Sequence, residues 1–136
     1  MATQIKYDFP SNFVCDDIQD YLIANGIINI GDSTCFEWKP KIDKQILIRD
    51  NGSFESPTPA SYRNNTFQVL IRGDKSDGFQ NLKAIAYNIA EFLVNSDSFT
   101  VNLNRYNQVF LISDPSILGR DEEGRPLVSM NFNAAR

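Results

Sequence analysis

The chain has 136 residues, enough for one domain with its own core and too few for two. It is 42% hydrophobic and 22% charged, an ordinary globular composition, and at this length about two-thirds of the unfolded surface is buried, so no disulfide or metal staple is needed for folding. Thirteen Lys and Arg against seventeen Asp and Glu leave a net charge of -4, the wrong sign for general binding to phosphates, and the absence of histidine removes the commonest general base, proton shuttle and zinc ligand.

Met1 to Asp8 carry no basic region followed by an apolar run, so no signal peptide is expected. Beyond Pro10, the apolar residues Val14, Ile18, Tyr21 and Leu22 recur at helical spacing, while Asp16, Asp17 and Asp20 fall toward the other face. This predicts a helix from about Asn12 to Asn25, capped by Ser11, favoured at its start by Asp16 and Asp17, and stopped by a left-handed Gly26. Cys15 and Cys35 stand twenty positions apart, neither a CxxC redox pair nor half of a zinc ribbon. They are expected as small reduced core residues of a chain made in a reducing cytosol; a single disulfide is allowed but not needed.

A short extended piece over Thr34 to Trp38 precedes Pro40, and the branched residues of Gln45 to Asp50 predict a strand ended by the turn signal Asn51-Gly52. The segment from Asn51 to Asn65, with Pro57, Pro59 and several small polar residues, is expected as an exposed loop. Its aromatics, Phe54 and Tyr62, either fold back on the domain or project toward a partner. Thr66 to Arg72 is the clearest buried strand, and Gly73 to Gly78 turns the chain. A second helix starts near Phe79, with Leu82, Ile85, Ala86, Ile89, Phe92 and Leu93 as a stripe that should lie flat on a sheet. The stretch from Ala84 to Val94, broken by Asn88 and Glu91, is far shorter than the roughly twenty apolar residues of a membrane span, so no membrane contact is expected.

Strands are then predicted over Ser98 to Leu103 and Asn107 to Ser113, joined by a turn at Asn104-Arg105, and over Leu127 to Asn133, where apolar and polar residues alternate. Between the last two lies a long charged connection, Asp114 to Pro126. The order of elements gives an α+β domain occupying residues 1–136, a mostly antiparallel sheet with two helices packed on one face.

No chemistry emerges from the usual patterns. Asp121-Glu122-Glu123 shares its loop with Arg120 and Arg125 and fits a solvated, charge-balanced turn better than a paired acid and base. The glycines form neither GxGxxG nor a Walker loop, Asp50 to Glu55 lack calcium-loop spacing, and no histidine is present to activate a thiol. No catalytic, metal-binding or cofactor-binding residue is assigned and no cofactor is expected. An enzyme or ligand-binding domain would need a deep pocket converging on Asp121 to Glu123. An unrelated adaptor is a further rival.

The segment Leu118-Gly119-Arg120-Asp121-Glu122-Glu123-Gly124-Arg125, followed by Ser129 to Phe132, resembles the "LGRDE-GR" loop and "SxNF" final strand of the small tail-terminator proteins of long-tailed bacteriophages, some of them labelled tail-completion or minor capsid proteins. The preceding order of helix, strand, Pro- and Ser-bearing loop, strand and helix is also similar. The resemblance implies a virion protein, assembled in the host cytoplasm, that forms a homo-oligomeric ring, usually a hexamer, at the head-proximal end of the tail tube. Its implied partners are the tail tube protein, the neck or head-completion proteins, and a sheath if the tail is contractile. DNA would pass through the bore without specific binding. Phe54, Glu55, Tyr62 and Arg63 of one loop, and Arg120, Asp121 and Arg125 of the other, are the residues expected to make contacts between subunits or between rings, the latter three through ion pairs. The nearest alternative role is a neck or head-tail joining protein.

Overall fold

The computed structural model describes residues 13–55 and 63–135, with backbone alone at 52–55 and 63–64. Helix α1 covers Val14–Ala24, close to the predicted span, but its N-cap is the extended Phe13, with no side-chain cap, instead of Ser11. The C-terminal end follows expectation: Gly26 has φ +71, its N–H donates to Ile23 O at 3.0 Å, and Ile27 N–H donates to Leu22 O at 3.0 Å. This six-to-one and five-to-two closure satisfies carbonyls that the helix would otherwise leave open.

Among the described residues, seven strands follow α1, with the second helix among them. They are β1 Ser33–Cys35, β2 Gln45–Glu55, β3 Arg63–Arg72, then α2 Phe79–Val94, and β4 Phe99–Val101, β5 Asn104–Tyr106, β6 Gln108–Arg120 and β7 Pro126–Ala135. The main sheet has the order β1-β2-β3-β7-β6, antiparallel except for the parallel pair β1 and β2, while β4 and β5 form a separate hairpin.

One face of the sheet is the core. Ile48 lies opposite Val69, which lies opposite Met130, and Phe67 lies opposite Phe132 with ring centroids 5.1 Å apart. These residues pack with Val14, Ile18 and Leu22 of α1 and Leu82, Ala86, Ile89 and Leu93 of α2 in one buried cluster. Both helices therefore sit on the same face, and the α+β architecture read from the sequence is the one observed. No helix among the described residues is long and apolar enough to cross a membrane.

Several predicted boundaries move. Asn51-Gly52 does not end β2; the strand continues to Glu55 with a register shift between Asp50 and Gly52, so residues 51–55 and 63–65 of the expected 51–65 loop are strand, and 56–62 lie outside the described residues. Likewise β6 runs through Asp114 and Pro115 to Arg120, and the expected 114–126 loop becomes the turn Asp121 to Arg125. An edge strand tolerates proline, whose missing N–H costs nothing on the open side, and β6 absorbs three register shifts along its length. The turn placed at Asn104-Arg105 lies at Asn102-Leu103, where φ values of 50 and 68 give the primed hairpin geometry that matches strand twist. Ile85, assigned to the buried stripe of α2, is 43% exposed.

Asp17, placed on the solvent side of α1, is fully buried. Asn102 Nδ2 donates to Asp17 Oδ1 at 3.0 Å, Asn104 Nδ2 to Oδ2 at 2.9 Å, and the Tyr106 hydroxyl also to Oδ2. Tyr21, Phe99 and Tyr106 stack beside this cluster, Tyr21 on Phe99 at 3.8 Å and Phe99 on Tyr106 at 5.2 Å. Asn102 Nδ2 also donates to Asp20 Oδ2 at 2.8 Å, so the β4–β5 hairpin is docked on α1 by two carboxyl groups, the buried one of Asp17 and that of Asp20, and by a ladder of rings.

Candidate assembly surface

The two segments singled out by the sequence lie at opposite ends of the main sheet. β2 runs from Gln45, paired with Arg72, to Glu55, paired with Arg63, and β7 runs from Pro126 beside the Asp121–Arg125 turn to Ala135 opposite Asn64. Ten residues of β7 separate the ends by about 30 Å at strand rise. Phe54 and Glu55 belong to the hairpin end by backbone position, Arg63 pairs with Glu55, and Tyr62 lies outside the described residues.

At the other end, Asp121 closes the turn. Its Oδ1 accepts the backbone N–H of Glu123 at 3.0 Å and of Arg125 at 2.9 Å, and its Oδ2 accepts Arg125 Nε at 2.8 Å. Gly124, at φ +80, lets its own N–H reach Asp121 O at 2.9 Å, a conformation that a side chain would strain. Burial works to raise the Asp121 carboxyl, but the hydrogen bonds from Arg125 and Glu123 and the Arg125 charge outweigh it and hold it below the ordinary 3.8. Arg125 is raised in turn, first by its bond to Asp121 and then, against burial, by its bond to Asp43, whose Oδ1 lies 3.1 Å from Nη1.

Arg120 ties this turn to the start of α2. Its guanidinium donates to Gly124 O at 2.8 Å, Asp77 O at 3.2 Å and Lys75 O at 3.4 Å, and lies 5.1 Å from the centre of the Phe79 ring. Arg120, Asp121 and Arg125, expected to pair across an interface, therefore each have partners within the chain. What they build is a preformed projection whose outward groups are the side chains of Glu122 and Glu123.

The neighbouring end of β2 and β3 is held by a second set of bonds. The segment 39–43 is tied to it: Gln45 Nε2 donates to Ile42 O at 2.6 Å and Lys39 O at 3.0 Å, and Arg72 donates to Ile42 O at 2.7 Å and Asp43 O at 2.9 Å. Trp38 covers the Arg72 guanidinium at 4.3 Å. Burial, followed by the nearby Arg125 charge, lowers Arg72 below its ordinary value despite Asp121, Asp43 and Glu123. A groove of about 360 Å³ opens between this end and α2, lined by Lys44, Arg72, Asp77, Asn81 and Ile85 among others. Asp121, Glu122 and Glu123 are not among its walls, so the carboxylate pocket that a catalytic reading requires is not found there.

The sequence offers sheet edges as surfaces in general but does not single out which strand carries the apolar one. β6 forms the outer edge of the five-stranded sheet, and Phe110, Ile112, Ile117 and Leu118 on it are 46%, 57%, 51% and 55% exposed. Four large apolar side chains along one edge strand, paired only with β7 in the main sheet, mark a surface suited to a protein partner. Phe110 and Ile112 fall in the predicted strand Asn107 to Ser113, whereas Ile117 and Leu118 fall in the segment expected as a loop, so the pattern does not show them as one edge.

The profile of the bacteriophage tail terminator protein family matches residues 21–136. Among solved structures, a chain from the virion of a native gene transfer agent particle superposes with a TM-score of 0.68 at 12% identity, covering 90% of this chain and 92% of that one. A second solved chain, 13% identical over 88% of each, gives a TM-score of 0.47. No curated protein matches the sequence.

Proposed function

Because the chain belongs to the bacteriophage tail terminator family, and is therefore a structural component of a phage tail, we propose that it closes into a ring, a hexamer, on the head-proximal end of the tail tube, stops tube growth and offers the docking face for the neck. The observation that carries this reading is the placement of the hairpin end and the Asp121–Arg125 turn at opposite ends of one continuous sheet. A protein that caps one assembly and receives another needs two unlike faces held at fixed separation. A head-to-tail interface whose rotation closes gives a finite ring, and a second face unlike the tube's own cannot accept another tube ring.

In this arrangement Phe54, Glu55, Tyr62 and Arg63 contact one neighbour in the stack. The projection built by Arg120, Asp121 and Arg125 contacts the other, and the apolar β6 edge faces the adjacent subunit. The net charge of -4 per subunit suits a bore through which DNA slides without sticking. Assembly takes place in the host cytoplasm before the head is joined, and the chain acts by shape, with no bond made or broken.

The test is complementation of tails lacking this protein. Arg120→Ala and Phe54→Ala variants should each reduce the fraction of tails of normal length at least tenfold while the isolated chain stays folded. If both variants cap tails normally, the assignment of these faces is wrong. If the wild-type protein is found on DNA-filled heads and not on isolated tails, a head-completion role replaces the one proposed.

A further inference from the structure

The two cysteines, unassigned by the tail-terminator reading, meet in space. Cys15 sits in the first turn of α1 and is fully buried; Cys35 ends the three-residue edge strand β1 and is half-buried. Their sulfur atoms and a carboxylate oxygen of Asp16 all lie within 4.8 Å of one another, and Cys35 Sγ lies 3.5 Å from Gln19 Oε1. We propose that Cys15 and Cys35 form a modification site, a thiol pair that exchanges with a small-molecule disulfide and closes to an intramolecular disulfide, clamping α1 to the edge of the sheet.

The geometry orders the reaction. Cys35, the more exposed sulfur, attacks one sulfur of the small disulfide as thiolate, and the leaving thiolate takes up the displaced proton. Cys15 then attacks Cys35 Sγ of the mixed disulfide, its proton passing to the second leaving thiolate. One small disulfide is thereby reduced to two thiols and one protein disulfide is formed, with no other oxidant. The sulfurs, now within 4.8 Å, must approach to about 2.05 Å, the closure that the thiol and mass measurements below read out. Hydrogen bonding to Cys15, then burial, then the negative charges beside it hold the Cys35 thiol above its ordinary 9.0, so exchange is slow at neutral pH and faster in mild alkali. The crosslink would close the loop between residues 15 and 35, and β1, joined to β2 by only three residue pairs, is the element it would secure.

The experiment incubates the folded chain with oxidised glutathione at mildly alkaline pH and follows free thiols, mass and melting temperature. Both thiols should disappear together, the mass should fall by two hydrogens, the product should run as a monomer on a non-reducing gel, and the melting temperature should rise on the order of 10 °C. Cys15→Ser should instead accumulate a stable glutathione adduct on Cys35; Cys35→Ser, altered at the half-buried partner, should keep the fold and leave Cys15 unreacted. A persistent adduct on the wild type, crosslinked dimers, or thiols that oxidise only after unfolding would each overturn the proposal. A disulfide that lowers the melting temperature would overturn the clamp. One equivalent of zinc that shields both thiols from exchange would replace the thiol pair with a metal site completed by Asp16.

Discussion

Asp17 and Asp121 perform the same local task in opposite surroundings. Each accepts three or more hydrogen bonds, Asp17 from Asn102, Asn104 and Tyr106 of a hairpin 85 to 89 residues away, Asp121 from Glu123 and Arg125 within its own turn. Asp17 is fully buried, whereas the Asp121 side chain keeps 22% of its exposure. Water can take the place of Asp121 as an acceptor and cannot take that of Asp17, so one aspartate supports the whole domain and the other the shape of one projection. The comparison also separates roles. The projection is organised locally at the surface, and the hairpin that needs long-range docking is organised in the core.

The sharpest way to break the comparison is to remove the buried acceptor. Asp17→Ala should destabilise the domain by about 3 kcal/mol in urea unfolding, because three donors lose a shared acceptor that solvent cannot replace. Tyr106→Phe, which deletes one of those donors, should cost about 1–2 kcal/mol. If Asp17→Ala costs no more than an ordinary surface substitution, the hairpin is held by its aromatic ladder and the Asn102–Asp20 bond without Asp17.

Asp121→Asn should leave the unfolding midpoint nearly unchanged while amide exchange at Glu123 and Arg125 accelerates about tenfold. The same turn should respond to acid. Because the folded-state Asp121 value lies below its ordinary 3.8, its contribution is complete above that pH and is lost as pH falls through the folded value. The resonances of the Glu123 and Arg125 amides should therefore hold steady down to about pH 4 and move only below it. Movement beginning at higher pH would show that Arg125 does not protect the carboxylate.

The smallest effect concerns the hairpin turn. Leu103 has φ +68 and is 93% exposed, so its side chain contributes strain without packing. Leu103→Gly should stabilise the domain by about 0.5–1 kcal/mol, a gain visible only if Asp17 already fixes the turn geometry from outside.

Local patterns in the sequence carried much of this fold. The branched runs of Gln45–Asp50 and Thr66–Arg72, the alternation after Leu127 and the stripe of α2 each correspond to an observed element, since a strand or helix face is written within a few residues. Pairing partners are not written locally. Asn51-Gly52 reads as a turn, yet cross-strand pairing carries β2 past it, and Asp114-Pro115 reads as a break, yet an edge strand accommodates both. The site divides in the same way. The Asp121–Arg125 pair is an i,i+4 spacing visible in the sequence, but the Arg125–Asp43 pair spans 82 positions, and nothing near Asp17 indicates that Tyr106 meets it. The Cys15–Cys35 approach is hidden for the same reason.

The central claim is tested most directly by electron microscopy of tails carrying a labelled copy of this chain. A closed sixfold collar at the head-proximal tip of the tube, absent from tails made without the protein and accompanied there by overlong tubes, is the predicted image. Label found along the tube, at the host-proximal tip or on the head alone, with tube length unaffected by its loss, would contradict the account.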